Sequence, residues 1–581
     1  MLTALWRQMW VMHDETKRLF VFTPAAARRE LKRKYLDFSK GRQERDVDLA
    51  DEMEEAPAEH INRLSSGPDG IEEGEPREYS RRQMLGLFLG PILFALMLLL
   101  PAPAGMEPAA QKMAAIALLM ATWWMCESIP IPATSLLPIA LFPWMGIMAT
   151  GKATAPYANH LIFLFMGGFI IALSMQRWNL HRRIAMNIVK VMGFSPSRLI
   201  LGFMVATAAL SAFVSNTATT VMMMPIGLAI IAHVVAEGKK EGLDKEIDFS
   251  PDKFAFGLNL MLGIAYAASI GGIATLIGTP PNTVLAGYLN KTYGYEITFA
   301  KWMSVGVPLV LVMLPLCWLW LTRVANPLKL KKVPGGKDLI SNELRKMGKM
   351  NTGERWTSLV FGLTAFAWIF QKQISVIFPE PKFMTDATIA MIGALVLFLI
   401  PINLRKNQFV MDWHWASKMP WGVLILFGGG LALADGFKDT KLAEWIGGQV
   451  SLLENAPILI LIIAVATLII FLTELTSNTA TAAMVMPILS AVAIGLGQNP
   501  LLLVVPAAVA ASCAFMLPVA TPPNAIVFGS GYVTIPQMAR SGFGLNIIGI
   551  MLTVVLTYLL VIPAFDVVIG ELPSWVNAVS P

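Results

Sequence analysis

Four short motifs carry most of the chemistry open to this chain. Ser215-Asn216-Thr217-Ala218 and Ser477-Asn478-Thr479-Ala480 each lie within an apolar stretch, and Thr279-Pro280-Pro281-Asn282 and Thr521-Pro522-Pro523-Asn524 follow them. Hydroxyl and amide oxygens are hard ligands suited to a small cation, while N–H and O–H groups suit an anion. Proline cannot donate a backbone hydrogen bond and restricts the residue before it, so each Thr-Pro-Pro-Asn is expected to break a helix. The carbonyls of Gly278 and Ala520 then lose their helical partners and can face a cation. The helix restarting beyond each break is expected to present free N–H groups and a positive dipole end to an anion. No Lys or Arg falls inside these motifs. An oxyanion bound there would be neutralised by cations and helix ends.

The motifs are paired by duplication. SNTATTVMMMPI (215–226) and SNTATAAMVMPI (477–488) agree at nine of twelve positions, at an offset of 262 that also aligns FMGG (165–168) with FGGG (427–430). The Thr-Pro-Pro-Asn copies stand at an offset of 242, and the difference falls at the polar insert 237–253 of the first copy. A duplicated apolar unit broken by Gly, Pro, Asn and Thr is the pattern of a transporter with a site at the membrane midplane. A single Asn or Thr in such a segment would more simply be glue between helices. Two matched copies argue against that reading.

Composition sets the elements that must hold the motifs. With 55% apolar and 14% charged residues in 581, the chain is expected to be an all-α polytopic membrane protein. Candidate spans lie near 84–103, 111–126, 130–149, 160–177, 254–277, 302–322, 357–379, 384–402, 420–437 and 543–565. Hairpins are expected at about 197–235 and 455–495, turning at the Ser-Asn-Thr motifs. The segment from Arg323 to Arg355 holds nine basic residues against three acidic. With Arg177, Arg182, Arg183 and Lys190, and with Arg405 and Lys406, it falls on one face if the N-terminus is cytoplasmic, as the excess of Lys and Arg in cytoplasmic loops requires. About eleven crossings result, and residues 566–581, without Lys or Arg, end outside. Five crossings separate the two hairpins, so they enter from opposite faces and the repeats, about 109–290 and 384–533, are inverted. Residues 1–82 read as a partly disordered cytoplasmic tail before a transmembrane domain at 83–565. Cys126, Cys317 and Cys513 lie in apolar segments and imply no disulfides, and no secretory signal peptide is visible.

At these residues the chain resembles the divalent anion–sodium symporter (DASS) family of citrate, dicarboxylate and sulfate transporters. FLTELTSNTATAAMVMP (471–487) is very similar to the family pattern, and the resemblance covers about residues 84–565. It implies a homodimer in which each subunit pairs a static scaffold with a transport domain that moves as an elevator. Sodium ions serve as coupling ions and no other cofactor is implied. Carried over, one sodium site takes Ser211, Ser215, Asn216 and the Gly278 carbonyl. The other takes Thr473, Asn478 and the carbonyls of Thr476 and Ala520. The substrate, a C4-dicarboxylate or citrate, would contact Asn216, Thr217, Thr279, Asn478, Thr479 and Thr521, with Pro280 and Pro522 shaping the pocket. The location implied is the plasma (inner) membrane.

Other charges within apolar segments, Glu127, Asp435 and Glu474, are expensive there and call for partners. Glu474 is expected to hydrogen-bond backbone at the hairpin tip, or else to tune the second cation site. His233 and His414 lack metal-ligand spacing, and nothing resembles a Walker loop, a dinucleotide fingerprint or a nucleophile elbow. A membrane-embedded enzyme would need a nucleophile–base pair or metal cluster that is not visible. A receptor without flux has only the N-terminal tail in its favour. A sulfate symporter and a sodium-independent dicarboxylate exchanger remain alternatives within the family.

Overall fold

The computed structural model describes residues 79–577 apart from 244–245, 252, 331, 334–335, 379, 381–382 and 450–455. The tail expected over 1–82 therefore lies, up to residue 78, outside the described residues. The described chain is helical, with one short ladder pairing Pro401–Asn403 with Gln408–Phe409. Eight helical stretches are long and apolar enough to cross a membrane, and five shorter apolar helices accompany them.

The first described helix, α1 (Arg81–Leu99), opens on a capping box in which the Ser80 hydroxyl accepts from the Gln83 N–H and Gln83 accepts from that of Ser80. It packs on α2 (Pro108–Cys126). The span expected at 130–149 is instead two short helices, Ile131–Thr134 and α3 (Leu137–Trp144), because prolines in the first turn of each restart the chain rather than continue it. From α4 (His160–Arg177) onward the two repeats run in step. The first contains α5 (Leu180–Met192), α6 (Pro196–Ser211), α7 (Asn216–Lys240), α8 (Ala255–Gly272), α9 (Pro280–Tyr293) and α10 (Phe299–Leu319). Next come α11 (Gly336–Lys346), α12 (Thr352–Ile369) and α13 (Asp386–Leu399), the last within the second repeat. The second repeats the order as α14 (Trp421–Asp439), α15 (Leu442–Gly448), α16 (Ile458–Thr473), α17 (Asn478–Gly495), α18 (Leu501–Ala511), α19 (Pro522–Phe528) and α20 (Ile535–Leu556). One hairpin half departs from expectation: α7 runs 25 residues, because the polar insert lengthens it to Lys240.

Packing is reciprocal. Helix α6 packs on α8 as α16 packs on α18, and across the repeats α9 packs on α17 while α19 packs on α7. Helices α8 and α18 are buried along their length, which is why they are apolar all round. Close approach needs small residues: a Cβ on Gly271 of α8 would run into the Ala208 backbone of α6.

The turns into α5 and α15 match to the degree, with Asn179 and Lys441, at the same repeat position, both at φ 57 and ψ 21. Asn tolerates this left-handed conformation; for Lys it costs about 1–2 kcal/mol, so packing imposes it. The two short helices are tied down by charge. Arg183 pairs with the buried Glu354 at 3.0 Å and Arg182 with Glu343 at 2.7 Å, while Lys441 pairs with Glu107 at 3.1 Å. Glu354 also closes the capping box of α12 with Asn351. On α5, Ala185, Met186 and Val189 face inward, Ile184 and Ile188 are half-buried, and Val191 is exposed. His181 is buried against the Met175 carbonyl, and that burial lowers its pKa below the usual range.

Candidate functional site

Both hairpin tips have the same geometry. Ser211 ends α6 and Asn216 begins α7; the Ser211 Oγ lies 2.6 Å from Asn216 Oδ1 and 2.7 Å from the Ala268 carbonyl of α8. Thr473 ends α16 and Asn478 begins α17; the Thr473 Oγ1 lies 2.6 Å from Asn478 Oδ1 and 3.1 Å from the Ala511 carbonyl of α18. Each hydroxyl has one proton for two acceptors, so each tip gathers three oxygens around too few donors. Ser215 caps α7 by accepting from the Ala218 N–H at 3.3 Å, and Ser477 is the N-cap of α17. The N–H groups of Asn216 and Thr217, and of Asn478 and Thr479, occupy first-turn positions that have no intrahelical acceptor, at the positive end of a helix dipole.

The breaks correct one expectation. The prolines do not interrupt a helix: α8 has already ended at Gly272 and α18 at Ala511, and Pro280 and Pro522 begin the next helices. Proline suits that first position because its missing N–H would be unpaired there anyway. The free donors expected beyond each break are correspondingly few. Two N–H groups are lost to proline, and the next is taken: Asn282 N–H by the Thr279 carbonyl at 3.2 Å, Asn524 N–H by the Thr521 hydroxyl at 3.3 Å. The first-turn donors for an anion belong to the hairpin helices instead.

The structure brings Asn216 and Gly278 together at Gly272, and Ser211 joins them through its contact with Asn216. A Cβ placed on Gly272 would lie 2.5 Å from Asn216 Oδ1 and 3.2 Å from the Gly278 carbonyl oxygen. In the second repeat Thr473 and Asn478 touch directly. The Thr476 hydroxyl turns to Leu472 O at 2.9 Å and Thr481 Oγ1 at 2.6 Å, and the Ala520 N–H to Leu517 O at 3.2 Å. Thr279, Thr479 and Thr521 are buried, Thr217 and Pro280 half-buried and Pro522 exposed.

Three features escaped the sequence reading. Asn282 Nδ2 donates to the carbonyls of Thr275 (2.8 Å), Ile273 (3.2 Å) and Gly272 (3.3 Å). Asn524 Nδ2 donates to those of Leu517 (3.0 Å) and Ala514 (3.2 Å). These two side chains staple the unwound backbone, a role signalled only by their recurrence at the 242 offset. Thr275 adds a tie in repeat 1, its hydroxyl bonding the Ala212 carbonyl and accepting from the Gly278 N–H at 3.1 Å. In repeat 2 the residues at those two positions are Leu517 and Glu474; the bond keeps its direction but side chain and backbone exchange roles, the Glu474 side chain accepting from the Leu517 N–H at 3.2 Å. Glu127 pairs with Arg82 at 3.4 Å and Asp435 with Lys291 at 3.6 Å, so both charges have partners; Arg82 also donates to the Leu475 carbonyl of the second tip.

The family model described as the sodium:sulfate symporter transmembrane region matches residues 81–563. The chain belongs to the sodium:sulfate symporter family. It is 46% identical over 495 residues to the sodium-dependent dicarboxylate transporter SdcS of Staphylococcus saprophyticus, covering 85% of this chain and 94% of that one. SdcS of Staphylococcus aureus strain USA300 is 46% identical over 485 residues, covering 83% and 92%. The crystal structure of the YdaH transporter of Alcanivorax borkumensis superposes with a TM-score of 0.53 at 12% identity, over 84% of this chain and 99% of that one, a likeness of fold alone. As a member of the sodium:sulfate symporter family, the chain is a membrane transporter and not an enzyme.

Proposed function

We propose that this chain is a sodium-coupled secondary symporter of a divalent carboxylate, most simply a C4-dicarboxylate, with citrate as the larger candidate. The observation that carries the reading is the duplicated oxygen cluster, Ser211–Asn216 and Thr473–Asn478, each within reach of a backbone carbonyl. A small cation at each tip relieves the acceptor surplus there. The first sodium takes Ser211, Ser215, Asn216 and the Gly278 carbonyl; the second takes Thr473, Asn478 and the carbonyls of Thr476 and Ala520. The anion lies between, on the N–H and hydroxyl groups of Asn216, Thr217, Asn478 and Thr479, beside Thr279, Thr521, Pro280 and Pro522. Sodium therefore binds before substrate. The names of the SdcS relatives support sodium and a dicarboxylate.

The test is uptake of labelled succinate into proteoliposomes with and without an inward sodium gradient, with citrate and sulfate as competitors. Uptake is expected to need sodium and to be blocked by unlabelled succinate. Sulfate competing more strongly than any carboxylate would shift the reading to a sulfate symporter, and uptake indifferent to sodium would make it an exchanger.

The same reading includes a homodimer in the plasma (inner) membrane, its N-terminus cytoplasmic and C-terminus outside. Spans near 84–149 and 302–402 form the scaffold, and 160–290 and 420–533 a transport domain that moves as an elevator. Ion pairs holding α5 to Glu343 and Glu354, and α15 to Glu107, support treating these helices as arms anchored to the scaffold. A cysteine cross-link from a scaffold span to a hairpin should stop flux while succinate binding survives. Undiminished flux through a verified cross-link would remove the elevator from the model.

A further inference from the structure

The repeats differ in charge at one buried position beside the cation half-sites. Where repeat 2 has Glu474, repeat 1 has Ala212, at the same offset that aligns the two Ser-Asn-Thr motifs. Glu474 is 3% exposed and follows Thr473, whose hydroxyl holds Asn478. Its Oε1 accepts from the Phe515 N–H (2.7 Å), the Met516 N–H (2.9 Å) and Asn546 Nδ2 (2.8 Å). Its Oε2 accepts from the N–H groups of Met516 (3.0 Å) and Leu517 (3.2 Å). Among the described residues every partner is a donor. The backbone N–H groups of Phe515, Met516 and Leu517 reach both carboxyl oxygens and can only donate, so the donor set suits an anion; among the described residues the buried Asn546 Oδ1 itself has no hydrogen-bond partner. The three backbone donors belong to the unwound segment that runs from α18 to Ala520, so the charge is fixed against the segment that borders the second tip.

We propose that Glu474 is a positioning residue that supplies a fixed negative charge to the second cation half-site, making it the tighter of the two, whereas repeat 1 depends on neutral oxygens alone. The proposal rests on the sodium-symporter reading above. It implies an order: the repeat 2 site fills at low sodium, the repeat 1 site only at higher concentration. A carboxylate already saturated by donors does not need to be a ligand; it acts through space in a medium where charges are poorly screened.

The experiment compares wild type, Glu474→Gln and Glu474→Asp, each checked for monodispersity. It measures the sodium dependence of succinate uptake and the melting temperature in sodium against choline. Gln should raise the half-saturating sodium concentration roughly tenfold or more and lose much of the sodium-induced thermal stabilisation. Its apparent succinate affinity at saturating sodium should move by less than about twofold. Asp, which keeps the charge but shortens the reach, should shift sodium dependence much less than Gln does. Equal sodium dependence in Gln and wild type overturns the proposal. So do equal losses in Gln and Asp, which would reduce Glu474 to a backbone staple. If Gln yields no folded protein, Asp alone decides: a sodium shift below about threefold with lowered thermal stability supports the charge role, and a tenfold shift overturns it. A wild-type protein indifferent to sodium would sink the symporter reading itself, a result distinct from either variant outcome.

Discussion

Alanine at Asn216 or at Asn478 should lower sodium-driven succinate uptake by roughly 100-fold, the scale on which altered ligand shells weaken metal sites, while the protein remains folded. Each amide oxygen is the hinge of its tip, 2.6 Å from the hydroxyl that ends the preceding helix. Removing it takes away a cation ligand and one hydrogen bond of about 1 kcal/mol. It leaves the first-turn N–H groups of α7 or α17 in place, because those belong to the backbone. Loss should therefore appear first in sodium dependence, with succinate binding partly recovered at very high sodium. Calorimetry across sodium concentrations checks this. Unchanged sodium dependence in both variants would remove these residues from the cation sites.

Asn282→Ala is expected to be the most damaging substitution for the fold of the site. Its amide serves three carbonyls of the break, with the Thr275 bond at 2.8 Å the shortest. The side chain is fully buried, so water cannot replace it. Each orphaned buried carbonyl costs about 1–3 kcal/mol. Thermal unfolding in detergent should show a loss of several degrees, and uptake should fall even at saturating sodium. Asn524→Ala should behave alike, with two carbonyls orphaned in place of three. A variant of normal stability and normal transport would mean that the unwound backbone is held by its surroundings without the staple.

The repeat was legible because duplication preserves residue types at fixed offsets, and apolar length alone indicates a membrane helix. Gly278 was legible as a lone carbonyl because Thr-Pro-Pro-Asn marks an irregular backbone, although the prolines turned out to begin helices and not to end them. A proline reports only that a helix does not continue through it; whether it stands last before a gap or first after one depends on where the preceding helix stops. Here α8 stops at Gly272 and α18 at Ala511, well before the motif, and no local signal in the sequence fixes those ends.

What the sequence determined by itself is the inventory: two hairpins, two breaks, four oxygen-rich motifs without Lys or Arg, and basic residues clustered between apolar segments. These follow from local chemistry and from period, which are written along the chain. Tertiary structure decided the pairings. Glu474 meets Asn546 across 72 residues, and Arg183 meets Glu354 across 171. Helix α9 of one repeat packs on α17 of the other, with α19 on α7 in return. Such contacts depend on how buried faces fit, not on neighbours in sequence, so the same Glu reads as a costly charge in the chain and as a carboxyl group surrounded by hydrogen-bond donors in the fold.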